Sequence, residues 1–212
     1  MKDIPMFTTE YGVASLVLKE IPYKEIAYII LREVWDAQKL LEESVSFCRM
    51  CGAEHIYAAG HESLEQYPLH TSILKLRGEA WVDKGELKSL FPVTEATVGK
   101  WRDIYNEKMR PVDNAATLTA YDEKWIVNSG GAYFVHEDGE LLGIGWLEDT
   151  NLLAVAAVKP GVGRVVMNTL MSLVEGAQMQ LEVASTNRRA IGLYEKLGFL
   201  VTEEARRWYK IR

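Results

Sequence analysis

Apolar and polar positions change their spacing repeatedly along this chain, and each change marks an element. Ala14 to Ile21 and Ala27 to Arg32 are rich in branched apolar residues and predict strands, whereas the spacing over Asp36 to Met50 predicts a helix. His55 to Ala59 predicts another strand, Glu62 to Gln66 a short helix, and Ser72 to Leu76 a strand that closes this first segment near Gly78. Glu79 to Pro92 mixes charge with Gly85 and Pro92 and shows no period, which predicts a boundary there.

The second segment opens with a predicted helix from Glu95 to Lys108, stopped by Pro111, and a shorter one from Tyr121 to Val127. Tyr133 to Glu137 and Glu140 to Leu147 flank Asp138-Gly139, the dipeptide that suits a tight two-residue turn because both positions need positive φ; this predicts a hairpin. Leu152 to Val158, LLAVAAV, has no polar alternation, which predicts a strand buried on both faces. After a Pro/Gly turn at Lys159 to Gly163, Val166, Met167, Leu170, Leu173 and Val174 recur at helical spacing within Val165 to Gly176. Met179, Leu181 and Val183 then alternate with Gln180, Glu182 and Ala184 as in a strand. Thr186-Asn187 caps a helix over Arg189 to Leu197, Gly198 ends it, and Phe199 to Glu203 with Trp208 to Ile211 supply terminal strand. The alternation points to an α/β or α+β mixed-sheet class with some parallel pairing.

Composition narrows this reading. A chain of 212 residues, 48% apolar and 25% charged, can bury a core as one elaborated domain or two small ones. The longest apolar run is Leu152 to Val158, against the ~20 residues a membrane span needs, so a membrane partner is not expected and the location expected is cytoplasmic. The net charge of −6 comes from interspersed signs, which argues against nucleic acid and favours small cationic substrates. Cys48 and Cys51, the only cysteines, form one CxxC near the end of a predicted helix, with His55 and His61 downstream. That is too little for a disulfide framework or a usual zinc site, so reduced thiols and no metal are expected.

The candidate chemistry lies in the second segment. Val158-Lys-Pro-Gly161-Val-Gly163 stands between a predicted buried strand and a helix, where glycines let N–H groups approach an anion and the helix N-terminus adds partial positive charge. Such a turn is equally ordinary turn chemistry. Downstream, Asn187-Arg-Arg-Ala190-Ile-Gly-Leu-Tyr194-Glu-Lys-Leu-Gly198-Phe199 resembles the N-x-x-A-x-x-L-Y-x-x-x-G-F segment of the GCN5-related N-acetyltransferase (GNAT) superfamily. The hairpin, GIGW at Gly143 to Trp146, the central strand and the next helix follow in that family's order, so the resemblance covers about Leu90 to Arg212.

The resemblance implies an acyl-CoA N-acyltransferase (GNAT) fold over 90–212, with an additional smaller α/β domain over 1–80. The N-terminal order of strand, strand, helix, strand looks similar to a degenerate, truncated copy. It also implies acetyl-CoA as cosubstrate: the pantetheine arm on the backbone of Ala156, Ala157 and Val158, the pyrophosphate on the N–H groups of Gly161, Val162, Gly163 and Arg164, Asn187 and Ala190 beside the arm. Tyr194 would be the general acid that meets the departing thiolate. The turn is shorter than the family's V-x-P-x-x-Q/R-x-x-G-x-G/A, and Arg164 is the charge expected to compensate. The strand Leu152 to Val158 carries no carboxylate, which leaves Glu148 as the candidate base. Trp101, Tyr105, Tyr121 and Trp125 would line an acceptor pocket or pack the core. The reading is acetyl transfer to an amine of a small molecule or protein by direct attack, with a catalytically reduced acyl-CoA-binding or regulatory module as the alternative; a homodimer is left open.

Overall fold

The computed structural model describes residues 3–212; residues 1 and 2, at the start of the predicted 1–80 domain, lie outside the described residues. The chain forms two compact units: residues up to Ile73 together with Glu204–Arg212, and Leu74–Glu203. The first unit thus takes the C-terminal residues that the sequence reading gives to the 90–212 domain.

In the first unit, β1 (Ile4–Thr9), β2 (Gly12–Val17) and β3 (Ile26–Val34) form an antiparallel run, with α1 (Ile21–Lys24) between the second and third. α2 (Ala37–Met50) then crosses to β4 (His55–Ala59), which pairs parallel with β3 from Ile26↔His55 through Ile30↔Ala59. Leu40, Leu41 and Cys48 of α2 pack on Leu16, Ile29 and Ile56, while the other sheet face carries Tyr28, Tyr57 and Trp208. Asp36 caps α2, its carboxylate accepting the Lys39 N–H at 3.1 Å. A strand at β1, absent from the sequence reading, is a half-exposed edge whose alternation is too weak to register. The predicted Ser72 to Leu76 strand is the middle of β5 (Leu69–Glu79), and the two terminal strand pieces are one strand, β11 (Leu200–Lys210); each runs through both units.

In the second unit, β6 (Ser89–Pro92), β7 (Ala132–Glu137), β8 (Glu140–Glu148) and β9 (Asn151–Ala157) form an antiparallel run, and α5 (Gly163–Met171) crosses to β10 (Gln178–Ala184), parallel to β9. α3 (Val98–Met109) and α4 (Ala120–Ser129) cover one face, and α5 and α6 (Arg188–Lys196) pack on the other. The hairpin turn is as expected, with Asp138 at φ 49° and Gly139 at φ 82°.

GIGW has a packing explanation. A Cβ at Gly143 would stand 2.7 Å from Val166, and one at Gly145 2.2 Å from Leu170, so both glycines flatten β8 where one stripe of α5 presses on it.

Two expectations change. Glu79 to Pro92 is not an unstructured boundary: β6 pairs with β7 from Ser89↔His136 to Pro92↔Tyr133, and a 3₁₀ turn at Lys84–Glu86 precedes it. Asn168 of α5 holds this strap, accepting the Asp83 N–H and donating to the Asp83 carbonyl, both at 2.9 Å, and Thr169 accepts the Lys88 N–H at 3.1 Å. Its order comes from partners far along the chain, so no local period announces it. LLAVAAV, in turn, is not buried on both faces. The register steps from Trp146↔Ala154 to Leu147↔Leu152, so Leu153 is an extra, exposed residue at a bulge. Leu152 therefore joins the α5 side of the core and Ala154 and Ala156 the α3 side.

No helix among the described residues is long and apolar enough to cross a membrane.

Candidate active site

β9 and β10 pair only at Gln180↔Asn151 and Leu181↔Leu152. Beyond the bulge at Leu153 both strands continue without partnering each other, so a gap opens between their C-terminal ends. One edge of the gap is main chain. The Val158 N–H donates to the Leu142 carbonyl at 2.9 Å, and antiparallel pairing alternates, so Ala156 and Val158 direct their peptide groups to β8 while Val155 and Ala157 direct theirs to the gap. Of the three backbone contacts the sequence reading assigns, only Ala157 faces the gap, and Val155 joins it.

The turn from β9 to α5 follows. Gly161 adopts φ 89°, which disfavours other residues, and no atom lies within 4 Å of where its Cβ would be. Val162 is the N-cap of α5 and no side chain caps it, so the first N–H groups of the helix, from Gly163 onward, lack an acceptor within the helix. Leu193 of α6 lies 3.4 Å from the Cβ position of Gly163, which sets the first turn of α5 against α6. The two cations at the turn are engaged: Lys159 bonds Glu140 at 2.7 Å, and Arg164 Nε stands 3.5 Å from Glu86 Oε2. Arg164, the charge that the sequence offers to compensate for the shortened turn, thus already has an anionic neighbour in Glu86.

At the other side of the gap, Asn187 caps α6, its side-chain oxygen accepting the Ala190 N–H at 3.2 Å. Ala190 packs against the core one turn before Tyr194, whose ring is buried 6.1 Å from that of Phe199. Burial alone pushes the Tyr194 phenol from its ordinary value of 10 up to about 12. Glu148 stands apart from these groups: it is exposed at the β8–β9 turn, opposite Asn151, at the closed end of a strand spanning about 20 Å.

The sequence reading missed Asp113. The loop between α3 and α4 is pinned by Asn106, which bonds the Leu118 N–H and carbonyl at 2.9 and 2.8 Å, and the Asp113 carboxylate accepts the Thr186 hydroxyl at 2.6 Å, one residue before Asn187. Beside it, Asn114 takes φ 59° and buries both polar atoms of its amide without a hydrogen bond. No sequence signal marks these residues, because a loop finds its anchor only in the fold.

Among the aromatic candidates, Trp101 is core. It is fully buried, donates its indole N–H to the Tyr133 carbonyl at 3.1 Å and meets Trp146 edge-on. Tyr105 stacks on it, Trp125 is half-exposed against Trp146, and Tyr121 is 96% exposed. Cys48 is buried in the first unit with its thiol pushed up to about 12, chiefly by desolvation, which leaves it inert as a nucleophile or ligand. Among the described residues no group of three or more His, Cys, Asp or Glu side chains could hold a metal ion.

Residues 98–199 match the model of the acetyltransferase (GNAT) family. No curated protein matches the chain. Among solved structures, a conserved protein of unknown function from Staphylococcus epidermidis superposes with a TM-score of 0.59 at 11% identity, over 96% of this chain and 91% of that one. A GCN5-related N-acetyltransferase from Sphaerobacter thermophilus gives 0.52 at 12% identity over 94% and 76%, and a GNAT-family acetyltransferase from Colwellia psychrerythraea gives 0.50 at 11% over 98% and 84%. At these identities the likeness is one of fold.

Proposed function

We propose, from the match of residues 98–199 to the acetyltransferase (GNAT) family model, that the chain is an N-acetyltransferase that moves the acetyl group of acetyl-CoA onto a primary amine of a small molecule or protein. The observation that carries the reading is the parting of β9 from β10 beside the uncapped first turn of α5. An extended arm fits the exposed strand edge, and a diphosphate fits N–H groups that nothing in the helix accepts. Acetyl-CoA supplies the activated acetyl thioester.

In this reading the N–H groups from Gly161 to Arg164 hold the diphosphate, and the edge groups of Val155 and Ala157 hold the arm, with the Val155 N–H the donor nearest the bulge for a developing oxyanion. Asn187 and Ala190 shape the mouth of the gap. Tyr194 keeps its proton to about pH 12 and serves the leaving sulfur as a hydrogen-bond donor and general acid. Asp113 replaces Glu148 as the carboxylate to test as base, since its bond to Thr186 brings it beside Asn187. The N-terminal unit reads as a degenerate copy: it repeats the antiparallel run followed by a helical crossover to a parallel strand, with no parting of the two strands.

Titration calorimetry of the full chain with acetyl-CoA, followed by thiol release in the presence of an amine panel, tests this. Micromolar binding with amine-dependent thiol release is expected, and no binding at millimolar cofactor overturns it. The second reading, a catalytically reduced acyl-CoA-binding module, is favoured by the raised phenol and by the engagement of Arg164 with Glu86. It predicts binding without amine-dependent turnover.

A further inference from the structure

The strap over Glu79 to Pro92 puts a carboxylate where the proposed site wants none. Asn168 and Thr169 fix Asp83 and Lys88 to the second turn of α5, and Glu86, between them, reaches back to the first. Its Oε2 is buried, accepts no hydrogen bond, and lies 3.5 Å from Arg164 Nε. That oxygen has one cation beside it and no hydrogen bond, while the rest of the side chain meets water, so Arg164 is the partner that holds it at the helix start. Stability does not account for the arrangement, because the two side chains are 41% and 60% exposed and pairs of that kind contribute little.

The first unit offers a contrast from the same chain. There Asp36 caps α2 by a direct bond to the Lys39 N–H, filling that helix start with an internal anion. α5 has no such cap, and the anion near it is borrowed from the strap.

We infer that Glu86 is an internal counter-ion that competes with the ligand's diphosphate for Arg164, so that the strap sets the affinity of the cradle. The inference rests on the acetyl-CoA reading above. When a diphosphate settles on the first turn of α5, Arg164 exchanges one anionic partner for another, and the released Glu86 carboxylate is left beside the incoming negative charge. Glu86→Gln keeps the side chain's size and removes that competition.

The test is calorimetric titration of the full-length protein with coenzyme A, and in parallel with inorganic pyrophosphate, for the wild type, Glu86→Gln, Arg164→Ala and the double variant. Glu86→Gln is expected to tighten both ligands about threefold at low ionic strength, a gain that disappears near 1 M salt, where screening acts within about 3 Å. Arg164→Ala is expected to weaken both, and Glu86→Gln to add nothing in that background. An equal gain without Arg164 would overturn the competition in favour of direct repulsion. No gain in a wild type that binds coenzyme A overturns the inference and leaves the proposed function standing. Failure of every variant to bind either ligand overturns both. Matching melting temperatures for the wild type and Glu86→Gln show that the variant is folded.

Discussion

At the scale of single residues, burial decides what the titratable groups can do. Tyr194 is closed in by the α5–α6 side of the core, and a phenol held to about 12 stays neutral at any pH an acetyl transfer would use. Tyr194→Phe should lower kcat by about 100-fold while changing the Kd for acetyl-CoA by less than about twofold, because the ring and its packing remain. Stopped-flow thiol release and calorimetry measure the two, and an unchanged kcat removes the acid role. Both Tyr194 and Cys48 release their protons more readily in the unfolded chain, with ordinary values of 10 and 9 against about 12 folded. Their raised values therefore favour the folded state below pH 9 to 10, and that contribution is lost as pH climbs toward 12. Urea midpoints should fall over that window, and less steeply for Cys48→Ala; equal slopes would mean Cys48 is not desolvated. The CxxC and the terminal block were both legible in the sequence, whereas the inertness of Cys48 and the further rise of the Tyr194 phenol depend on what surrounds them.

At the scale of elements, the β8 glycines and the β9 bulge do the positioning. Gly145→Ala forces a methyl against Leu170, which should destabilise the protein by about 1–3 kcal/mol and tilt α5 off the sheet. Chemical denaturation measures the loss, and adding Leu170→Ala should return part of it by making room. The hairpin at Asp138-Gly139 could be read from two residues because positive φ is a local requirement. The bulge could not, since a run of apolar residues looks the same with or without an extra one. Leu153 is exposed because the register with β8 steps there, and only pairing sets register.

At the scale of the whole molecule, two units share one plan and differ in what they leave open. β3 and β4 pair along five positions and α2 is capped by its own Asp36, while β9 and β10 part after two and α5 has no cap. One coenzyme A should bind per chain, with the site in the second unit. Calorimetric stoichiometry checks this, and Asp36→Ala should lower stability by about 1 kcal/mol while leaving that binding unchanged. Two equivalents per chain would show that the first unit retains a site.

Alone, the sequence determined the order of most strands and helices, though not β1, α1 or β6, together with the turn that opens α5, the cap and apolar face of α6 and the resemblance they carry, since each of these is written in neighbouring residues whose spacing obeys backbone geometry. Tertiary structure alone decided that β9 and β10 part, that Ala157 and Val155 rather than Ala156 and Val158 face the gap, that Asp113 reaches Thr186, and that Glu86 occupies Arg164. These depend on register and on contacts between residues distant in the chain, and no local pattern encodes which distant partner a strand edge or a charge will meet.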